Sequence, residues 1–197
     1  MHLFLKLFNW LRVRQIKRIT TIPKNCIIDH NTSIRLIFGS TGSDIQIGDN
    51  TIIRGCLVSC NGGKIKFDEY SQIGINSKIY CIDSVVIGEG TCIANDVRIC
   101  DNNNHPIHPE DRIIMQRTAP GSKERSWLYS EKAPIVIGKN CWIGEFSRIC
   151  KGVRIGDNSI VAANSVVTKD VPSNSIVAGN PARVVKENIH LTASRML

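Results

Sequence analysis

The sequence contains few aromatic residues and no long uninterrupted apolar stretch. Phe, Trp and Tyr make up 6% of the 197 residues, so we expect a core that is filled mainly by aliphatic side chains. Ile and Val are frequent, and β-branched residues favour strands. The N-terminal apolar residues are interrupted by Lys6 and are followed by no small-residue cleavage site. These features argue against a signal peptide and against a membrane-spanning helix.

Paired cysteine motifs are also missing. The chain has eight cysteines but no CxxC pair, and a chain of this length can bury a core without disulfide bonds. Most of the cysteines occupy positions where Val or Ala would fit the surrounding aliphatic pattern. We therefore expect reduced thiols that act as small apolar side chains in a cytoplasmic protein.

Acidic residues are absent from the first eighteen positions, which hold five cations: Lys6, Arg12, Arg14, Lys17 and Arg18. The net charge of the whole chain is +8. Residues 1–21 fit a basic amphipathic helix that includes Trp10, and such a helix either docks on its own domain or contacts a membrane surface or a partner. Because the cations are terminal and no nucleic-acid-binding motif accompanies them, we do not expect binding to DNA or RNA.

What the chain has in abundance is a six-residue repeat. The segments IGDNTI, IGEGTC, IGKNCW and IGDNSI begin at residues 47, 87, 137 and 155. The fifth position of each repeat holds a small or β-branched residue, and Gly or Ala often follows the leading aliphatic residue. The longest aliphatic series with this spacing is Ile137, Ile143, Ile149, Ile155, Val161 and Val167.

A period of six fits neither an amphipathic helix nor an alternating strand. It fits short strands joined by tight turns, with one aliphatic side chain pointing inward per strand and three strands in each coil of eighteen residues. This pattern predicts an all-β fold, a parallel β-helix. The exposed end coils need covers, for which the N-terminal helix and residues 184–197 are candidates. We expect imperfect coils around residues 22–46.

The longest break in the repeat begins in the segment ICDNNNHPIH (99–108), and the repeat resumes only at Ile137. Long loops of this kind in compact domains are usually either functional or disordered. Several prolines and Trp127 lie inside the loop, and they favour an ordered arm or lid that reaches a neighbouring subunit.

The repeats occur together with NHPIHPEDR (104–112), NCWIG (140–144), VVTKDVP (166–172) and GNPARVV (179–185). In this order and spacing they resemble the hexapeptide-repeat acyltransferases, and most of all the sugar and polysaccharide O-acetyltransferases of the galactoside and maltose acetyltransferase type. The resemblance implies a left-handed parallel β-helix, a homotrimer with active sites between subunits, acetyl-CoA as the donor and no metal.

The chain is expected to divide into three parts. These are an N-terminal helix (1–21), a β-helical acyltransferase domain (22–185) with an extended loop at about 105–134, and a C-terminal tail or short helix (186–197).

His105 is the candidate general base. In the resembling family the His of the HP motif has this role, and imidazole can take a hydroxyl proton near neutral pH. His105 lies eighteen residues after Ile87, so we expect it in the slot of an inward aliphatic residue, with Asp101 or a backbone carbonyl fixing its tautomer. His108 is the alternative base, and a plain polar loop residue is the other interpretation of His105. Two histidines alone make a poor metal site.

The resemblance also assigns the remaining site residues. It places the oxyanion donor at the backbone N–H of Glu145, where many relatives have Ser, and it places Trp142 along the donor or acceptor tunnel. Ala163 and Thr168 match positions along the pantetheine arm of CoA, whereas Lys169, Arg183 and Lys186 match positions near the nucleotide phosphates, which cations bind. Two polar residues, Asn76 and Asp83, are candidates for contact with sugar hydroxyls.

These features favour an acetyl-CoA-dependent O-acetyltransferase that acts on a sugar hydroxyl. The short basic helix favours an acceptor from a capsule, an O-antigen or another surface glycan, and a cytoplasmic protein that sits peripherally at the inner membrane. The alternatives are an amino sugar, an antibiotic or serine as the acceptor, or a β-helix that serves as a non-catalytic scaffold.

Overall fold

The computed structural model describes residues 2–28 and 30–194. It begins with helix α1 (His2–Ile19), within the range where the sequence predicts a helix. The side chain of Trp10 lies outside what is described, and so does its expected place on the apolar face of the helix.

The strands that follow α1 form three sheets. Sheet 1 contains β1 (Ile27–Ile28), β4 (Ile52–Ile53), β7 (Gln72–Ile73), β10 (Cys92–Ile93), β13 (Trp142–Ile143), β16 (Ile160–Val161), β18 (Ile176–Gly179) and β19 (Ala182–Lys186). Sheet 2 contains β2 (Ser33–Ile37), β5 (Cys56–Cys60), β8 (Lys78–Cys81), β11 (Arg98–Cys100), β14 (Arg148–Ile149) and β17 (Val166–Val167). Sheet 3 contains β3 (Ile45–Ile47), β6 (Lys64–Phe67), β9 (Ser84–Ile87), β12 (Ile135–Ile137) and β15 (Arg154–Ile155).

Successive strands visit the three sheets in turn, so each set of three closes one coil. The strands of neighbouring coils pair in parallel: Ile53 is the register partner of Ile73, and Ile73 is the partner of Ile93. Turns link the sheets at three corners, which we call the 1/2, 2/3 and 3/1 corners after the sheets that they join. This architecture confirms the predicted parallel β-helix.

One inward aliphatic side chain per strand fills the core, as the repeat predicts. All six members of the series from Ile137 to Val167 are buried. The small residues at the fifth position are also buried, and their hydroxyl groups bond to backbone carbonyls at the corners. For example, Ser77 Oγ donates to the Ala94 carbonyl at 2.6 Å and Ser147 Oγ to the Gly144 carbonyl at 2.6 Å.

The close stacking of coils explains the glycine after the leading aliphatic residue. A Cβ atom added to Gly88 would lie 2.5 Å from the carbonyl carbon and oxygen of Gly138 in the next coil. In many repeats the residue two positions after this glycine is an asparagine in a left-handed backbone conformation, with φ of 57° at Asn50 and 59° at Asn158. Asn tolerates this conformation better than most residues, so the corner can turn tightly.

The coils are not all of the expected length. Register partners are eighteen residues apart in the C-terminal coils, as Ile143 and Val161 show, but twenty apart in the central coils, as Ile79 and Ile99 show. The expectation of uniform eighteen-residue coils is therefore wrong for the central part. The extra residues lie beside the 2/3 corner, where they lengthen the strands: β8 and β9 have four residues each, whereas β14 and β15 have two each.

Both ends of the β-helix are covered. Ile16 of α1 is 2% exposed and joins the core cluster that includes Ile34 and Ile45. Thr20, just after the helix, has one hydroxyl hydrogen, which is shared between the carbonyls of Gly42 at 2.8 Å and Ile45 at 3.0 Å. At the other end, β19 pairs antiparallel with β18. Helix α1 thus docks on its own domain. Among the described residues, no helix is long and apolar enough to cross a membrane.

Four of the eight cysteines are buried as small apolar side chains, and the other four are half-buried. Cys60, Cys81, Cys100 and Cys141 are buried. Burial raises the pKa of the Cys60 thiol to about 11 and raises the pKa of Cys81 further. These groups are therefore protonated at neutral pH and behave as small apolar side chains.

The inward columns predict that replacing a buried isoleucine destabilises the protein far more than replacing an exposed one. Ile99 is fully buried, whereas Ile113 on the loop is 50% exposed. Replacing Ile99 by Ala should lower the free energy of unfolding by about 2–5 kcal/mol, because it leaves a cavity between coils. Ile113→Ala should change it by only about 0.5 kcal/mol. Urea denaturation followed by circular dichroism measures both, and equal effects would contradict this packing.

Candidate active site

The long loop leaves the β-helix and returns to it at the 2/3 corner. Its two ends run side by side there: the Asn103 N–H donates to the Glu131 carbonyl at 2.9 Å, and the Ala133 N–H donates to the Asp101 carbonyl at 2.9 Å. The strands on either side, β11 and β12, remain paired with the coils before and after. The loop is therefore an insertion that the stack tolerates.

The loop is ordered and has secondary structure of its own. It contains helix α2 (Pro109–Arg117) and two short 3-10 turns (Lys123–Arg125 and Trp127–Tyr129). The Arg125 guanidinium donates to the carbonyl groups at the end of α2, including Thr118 at 3.0 Å, and so satisfies groups that a helix end leaves unpaired. An ordered arm was predicted, and its contact with a neighbouring subunit stays a prediction.

His105 does not fill an inward slot of the β-helix. It is exposed, and the position that follows Ile87 in sheet 3 is taken by Ile137, the register partner of Ile87. The expectation from the eighteen-residue count is therefore wrong. The chain leaves the coil after β11, and the strand that returns supplies the aliphatic residue instead, so the imidazole is free to face a substrate.

Two residues that the sequence did not single out hold the side chain of His105. The Trp127 indole N–H donates to Asn104 Oδ1 at 2.7 Å, and Asn104 Nδ2 lies 2.9 Å from His105 Nε2. An indole N–H can only donate, so it fixes which end of the Asn104 amide is oxygen. The amide nitrogen then donates to Nε2, which leaves the proton of the neutral imidazole on Nδ1.

Trp127 is itself positioned by sheet 2. Its ring meets the Tyr80 ring edge to face, with centroids 5.4 Å apart, a geometry that aromatic pairs prefer. The Arg98 guanidinium lies over the Tyr80 ring, 4.8 Å from its centroid. His105 is thus connected to the outer face of the β-helix through Asn104, Trp127 and Tyr80.

Asp101 does not orient His105. Its buried carboxylate accepts hydrogen bonds from the backbone N–H groups of Ile82 at 3.0 Å and Asp83 at 2.8 Å, and from the Asn102 side chain at 3.0 Å. Burial raises the pKa of Asp101, while these donors oppose the rise. Asp101 instead ties the base of the loop to the preceding coil, so the side chain that contacts the imidazole is Asn104.

Four of the expected site residues lie at the 2/3 corner or on the loop that leaves it. His105 is on the loop, Asp83 lies in the coil before it, and Thr168 and Lys169 follow β17 at the same corner in the C-terminal part of the stack. Asp83 is half-buried, and the other three are exposed.

The other expected residues lie along sheet 1 and the 1/2 corner. Asn76, Glu145 and Ala163 lie in three turns of the 1/2 corner, of which the last two are in neighbouring coils. Trp142 projects 56% exposed from the outer face of sheet 1, and Arg183 and Lys186 lie on β19. The Glu145 carboxylate accepts from Asn95 Nδ2 at 3.2 Å. The backbone N–H of Glu145 has no acceptor within residues 2–28 and 30–194, so it is available to a ligand.

One chain therefore does not bring all the expected residues together. The imidazole projects from the 2/3 corner, whereas the Glu145 N–H and Trp142 belong to the opposite side of sheet 2. Two corners of a three-sided prism are separated by a whole sheet.

The described residues contain no group of three or more His, Cys, Asp or Glu side chains placed to hold a metal ion. His105 and His108 are both exposed on the loop, and the Nε2 lone pair of His105 is already held by Asn104.

Comparison with known proteins assigns the repeats to a protein family. Residues 134–169 match the family described as bacterial transferase hexapeptide (six repeats). Over 141 residues the chain is 35% identical to the galactoside O-acetyltransferase of Escherichia coli K12, covering 72% of this chain and 63% of that protein. Over 130 residues it is 34% identical to WbbJ of the same organism, a protein provisionally named as a lipopolysaccharide biosynthesis O-acetyl transferase, covering 66% and 64%. Both matches span just under two thirds of the relative.

Solved structures share the fold over more of the chain. The polysialic-acid-specific acetyltransferase NeuO superposes with a TM-score of 0.65 and 26% identity over 88% of this chain and 72% of that chain. The Bacillus cereus N-acyltransferase AntD superposes with a TM-score of 0.67 and 22% identity over 89% of this chain and 87% of that chain. The second likeness shows the fold alone.

The Trp127–Asn104 pair predicts a defined tautomer of His105. In the unaltered protein, ¹⁵N-resolved NMR should show the proton on Nδ1. Asn104→Asp keeps an acceptor for Trp127 but offers His105 an acceptor in place of a donor, so the proton should move to Nε2. Trp127→Phe removes the N–H that fixes the amide and should give a mixture of tautomers.

The ring of His108 serves as the internal control, because neither change touches it. A His105 spectrum that is the same in Asn104→Asp as in the unaltered protein would show that Asn104 does not set the tautomer.

Proposed function

This chain is a hexapeptide-repeat protein of the bacterial transferase type, and on that premise we propose that it transfers an acetyl group from acetyl-CoA to a hydroxyl group of a sugar. The two curated relatives are named for O-acetyl transfer. The observation that carries the proposal is the exposed His105, held near the base of an ordered insertion in a stack of these repeats. We also propose that the β-helix is left-handed, as the family resemblance implies.

His105 acts as the general base. The acceptor hydroxyl displaces the Asn104 amide from Nε2 and gives its proton to that nitrogen as its oxygen attacks the thioester carbonyl. A C–O bond forms, the C–S bond breaks as the tetrahedral intermediate collapses, and the imidazolium returns the proton to the CoA thiolate. No acyl-enzyme is needed. Imidazole suits this exchange because it gains and loses a proton near neutral pH.

The oxyanion of the intermediate is bound by the backbone N–H of Glu145, which has no acceptor among the described residues. A preorganised N–H at this place stabilises charge that is absent from the ground state. The Glu145 side chain is turned to Asn95, so a Glu in place of the usual Ser leaves this donor open.

The donor binds along the C-terminal coils. Trp142 lines the tunnel, the corner turns at Ala163 and Thr168 contact the pantetheine arm, and Lys169, Arg183 and Lys186 meet the nucleotide phosphates. All three of these cations are exposed, and none belongs to an ion pair among the described residues. Cation–phosphate hydrogen bonds would then hold the nucleotide.

A homotrimer completes the site. His105 and the Glu145 N–H lie at different corners of one chain, so the chemistry needs a second copy that sets its 1/2 corner against the loop. A closed ring of three copies supplies three such contacts with one kind of interface.

The acceptor is a sugar of a capsule, an O-antigen or another surface glycan, and we place the reaction in the cytoplasm, peripheral to the inner membrane. Asn76 and Asp83 are the proposed contacts to sugar hydroxyls. The name of WbbJ and the polysialic acid specificity of NeuO favour a glycan acceptor.

His105→Ala should lower kcat by about 10²–10⁴-fold, because the hydroxyl proton loses its acceptor. The matched control is His108→Ala, which removes an imidazole from the same loop and should leave kcat nearly unchanged. Release of CoA from acetyl-CoA in the presence of the acceptor gives the rates, and sedimentation checks that the assembly is intact. Near-normal turnover by His105→Ala would refute the role of the base.

Labelled acetyl-CoA identifies the acceptor class. We expect label in an ester to sugar hydroxyls, stable to mild acid and released by mild alkali. Label in an amide would favour an amino sugar, and label on serine or an antibiotic would favour those acceptors. If calorimetry shows no binding of CoA, the remaining interpretation is a β-helix that serves as a non-catalytic scaffold.

A further inference from the structure

A polar groove lies between helix α1 and the outer face of sheet 2. Its volume is about 560 Å³, and its walls carry three cations: Arg12 from α1, Arg35 from β2 and Lys78 from β8. The Arg12 Nε donates to the Thr32 carbonyl at 3.2 Å, which fixes the guanidinium at the groove. Gln15 and Asn76 also line the groove, so neutral hydrogen-bonding groups stand between the charges.

Among the described residues, no carboxylate balances these cations. Within the part of the chain that the structure describes, no Asp or Glu lines the groove, and neither Arg35 nor Lys78 takes part in an ion pair. The sequence has no acid before Asp29. The groove is thus a concave, positively charged surface, and such a surface raises the local concentration of anions.

The positive charge continues along sheet 2. Lys78, Arg98 and Arg148 are register partners on adjacent strands, and all three side chains are exposed on the outer face. Like charges directly opposite each other destabilise a sheet, and the strands are only about 4.8 Å apart. The fold tolerates a repulsion that a bound polyanion would relieve.

The groove leads to the proposed base. Tyr80 lines the groove, and its ring contacts Trp127, which holds Asn104 against His105. Asn76, a proposed acceptor contact, lines the groove as well. A chain-like ligand that enters beside α1 therefore runs along sheet 2 toward the loop.

We propose that this groove binds a negatively charged glycan, so that the acceptor is a saccharide whose sugars carry carboxylates. The inference rests on the proposed function, because it identifies the bound glycan as the acceptor of the acetyl group. Arg12 and Arg35 would pair with sugar carboxylates in the two-point geometry that guanidinium groups favour. The amides of Gln15 and Asn76 would bond to sugar hydroxyls between them.

Two other anions share this chemistry, and the groove fits them less well. The phosphates of CoA are already matched by Lys169, Arg183 and Lys186, which lie at the C-terminal end of the stack, whereas β2, β5 and β8 lie toward its N-terminal end. A membrane surface would contact convex basic residues better than cations set in the walls of a groove that also holds amides.

Calorimetry on the full chain tests the groove directly. The probe is a hexamer of galacturonic acid, and the neutral comparison is maltohexaose. The double variant Arg35→Gln, Lys78→Gln removes two charges from the groove. The matched control Lys66→Gln, Arg154→Gln removes two charges from the outer face of sheet 3, where both side chains are exposed.

We expect the uronate hexamer to bind more tightly than maltohexaose, and its affinity to fall with added salt. The groove variant should weaken uronate binding by about tenfold or more, since each charge-assisted hydrogen bond is among the stronger contacts in water. The control variant should bind as the unaltered protein does, and acetyl-CoA should bind equally to all three.

Three results would overturn the proposal. They are absence of uronate binding, equal weakening by the groove and control variants, and a loss that falls on acetyl-CoA or on phosphatidylglycerol vesicles instead of the uronate. Failure of the proposed function looks different. In that case uronate binding through the groove persists, but no acetyl group reaches any acceptor.

Discussion

Hydrogen bonding between in-register parallel strands is the constraint on which the rest of this structure depends. Each strand pairs with the coil before it and the coil after it, as Ile53, Ile73 and Ile93 do in sheet 1. Because all three sheets are tied in this way, residues can be added only at the corners. The two-residue extensions lie beside the 2/3 corner, and the loop of residues 101–134 leaves the β-helix at the same corner. Residues are therefore added there without breaking the pairing of the strands.

The six-residue period was enough to predict the inward columns, the parallel pairing and the existence of the loop. It was not enough to place His105. Counting in eighteens assumes that all coils are equal, but the central coils have twenty residues because their strands on either side of the 2/3 corner are longer. The spacing of aliphatic residues in the C-terminal coils carries no information about strand length in the central coils. Ile137, which resumes the repeat, was the better guide to the next inward slot.

Contacts within the loop could not be read from the sequence either. Trp127 and Asn104 are twenty-three residues apart, and their pairing depends on how α2 and the 3-10 turns fold the loop back onto Tyr80. The signal was present only in part: an asparagine adjacent to the histidine, and one of three tryptophans in the chain placed in a loop. Sequence reasoning left Asp101 or a backbone carbonyl as the group that orients His105, but the buried carboxylate of Asp101 is committed to backbone donors.

The central claim is that one copy supplies His105 and another supplies the 1/2 corner. Mixing two inactive variants measures this most directly. His105→Ala removes the base, and Ala163→Trp fills the 1/2 corner with bulk. Co-assembled in equal amounts, they should recover about one quarter of the unaltered rate, since that share of interfaces joins two intact halves. A mixture as inactive as its components would show that the site lies within a single chain.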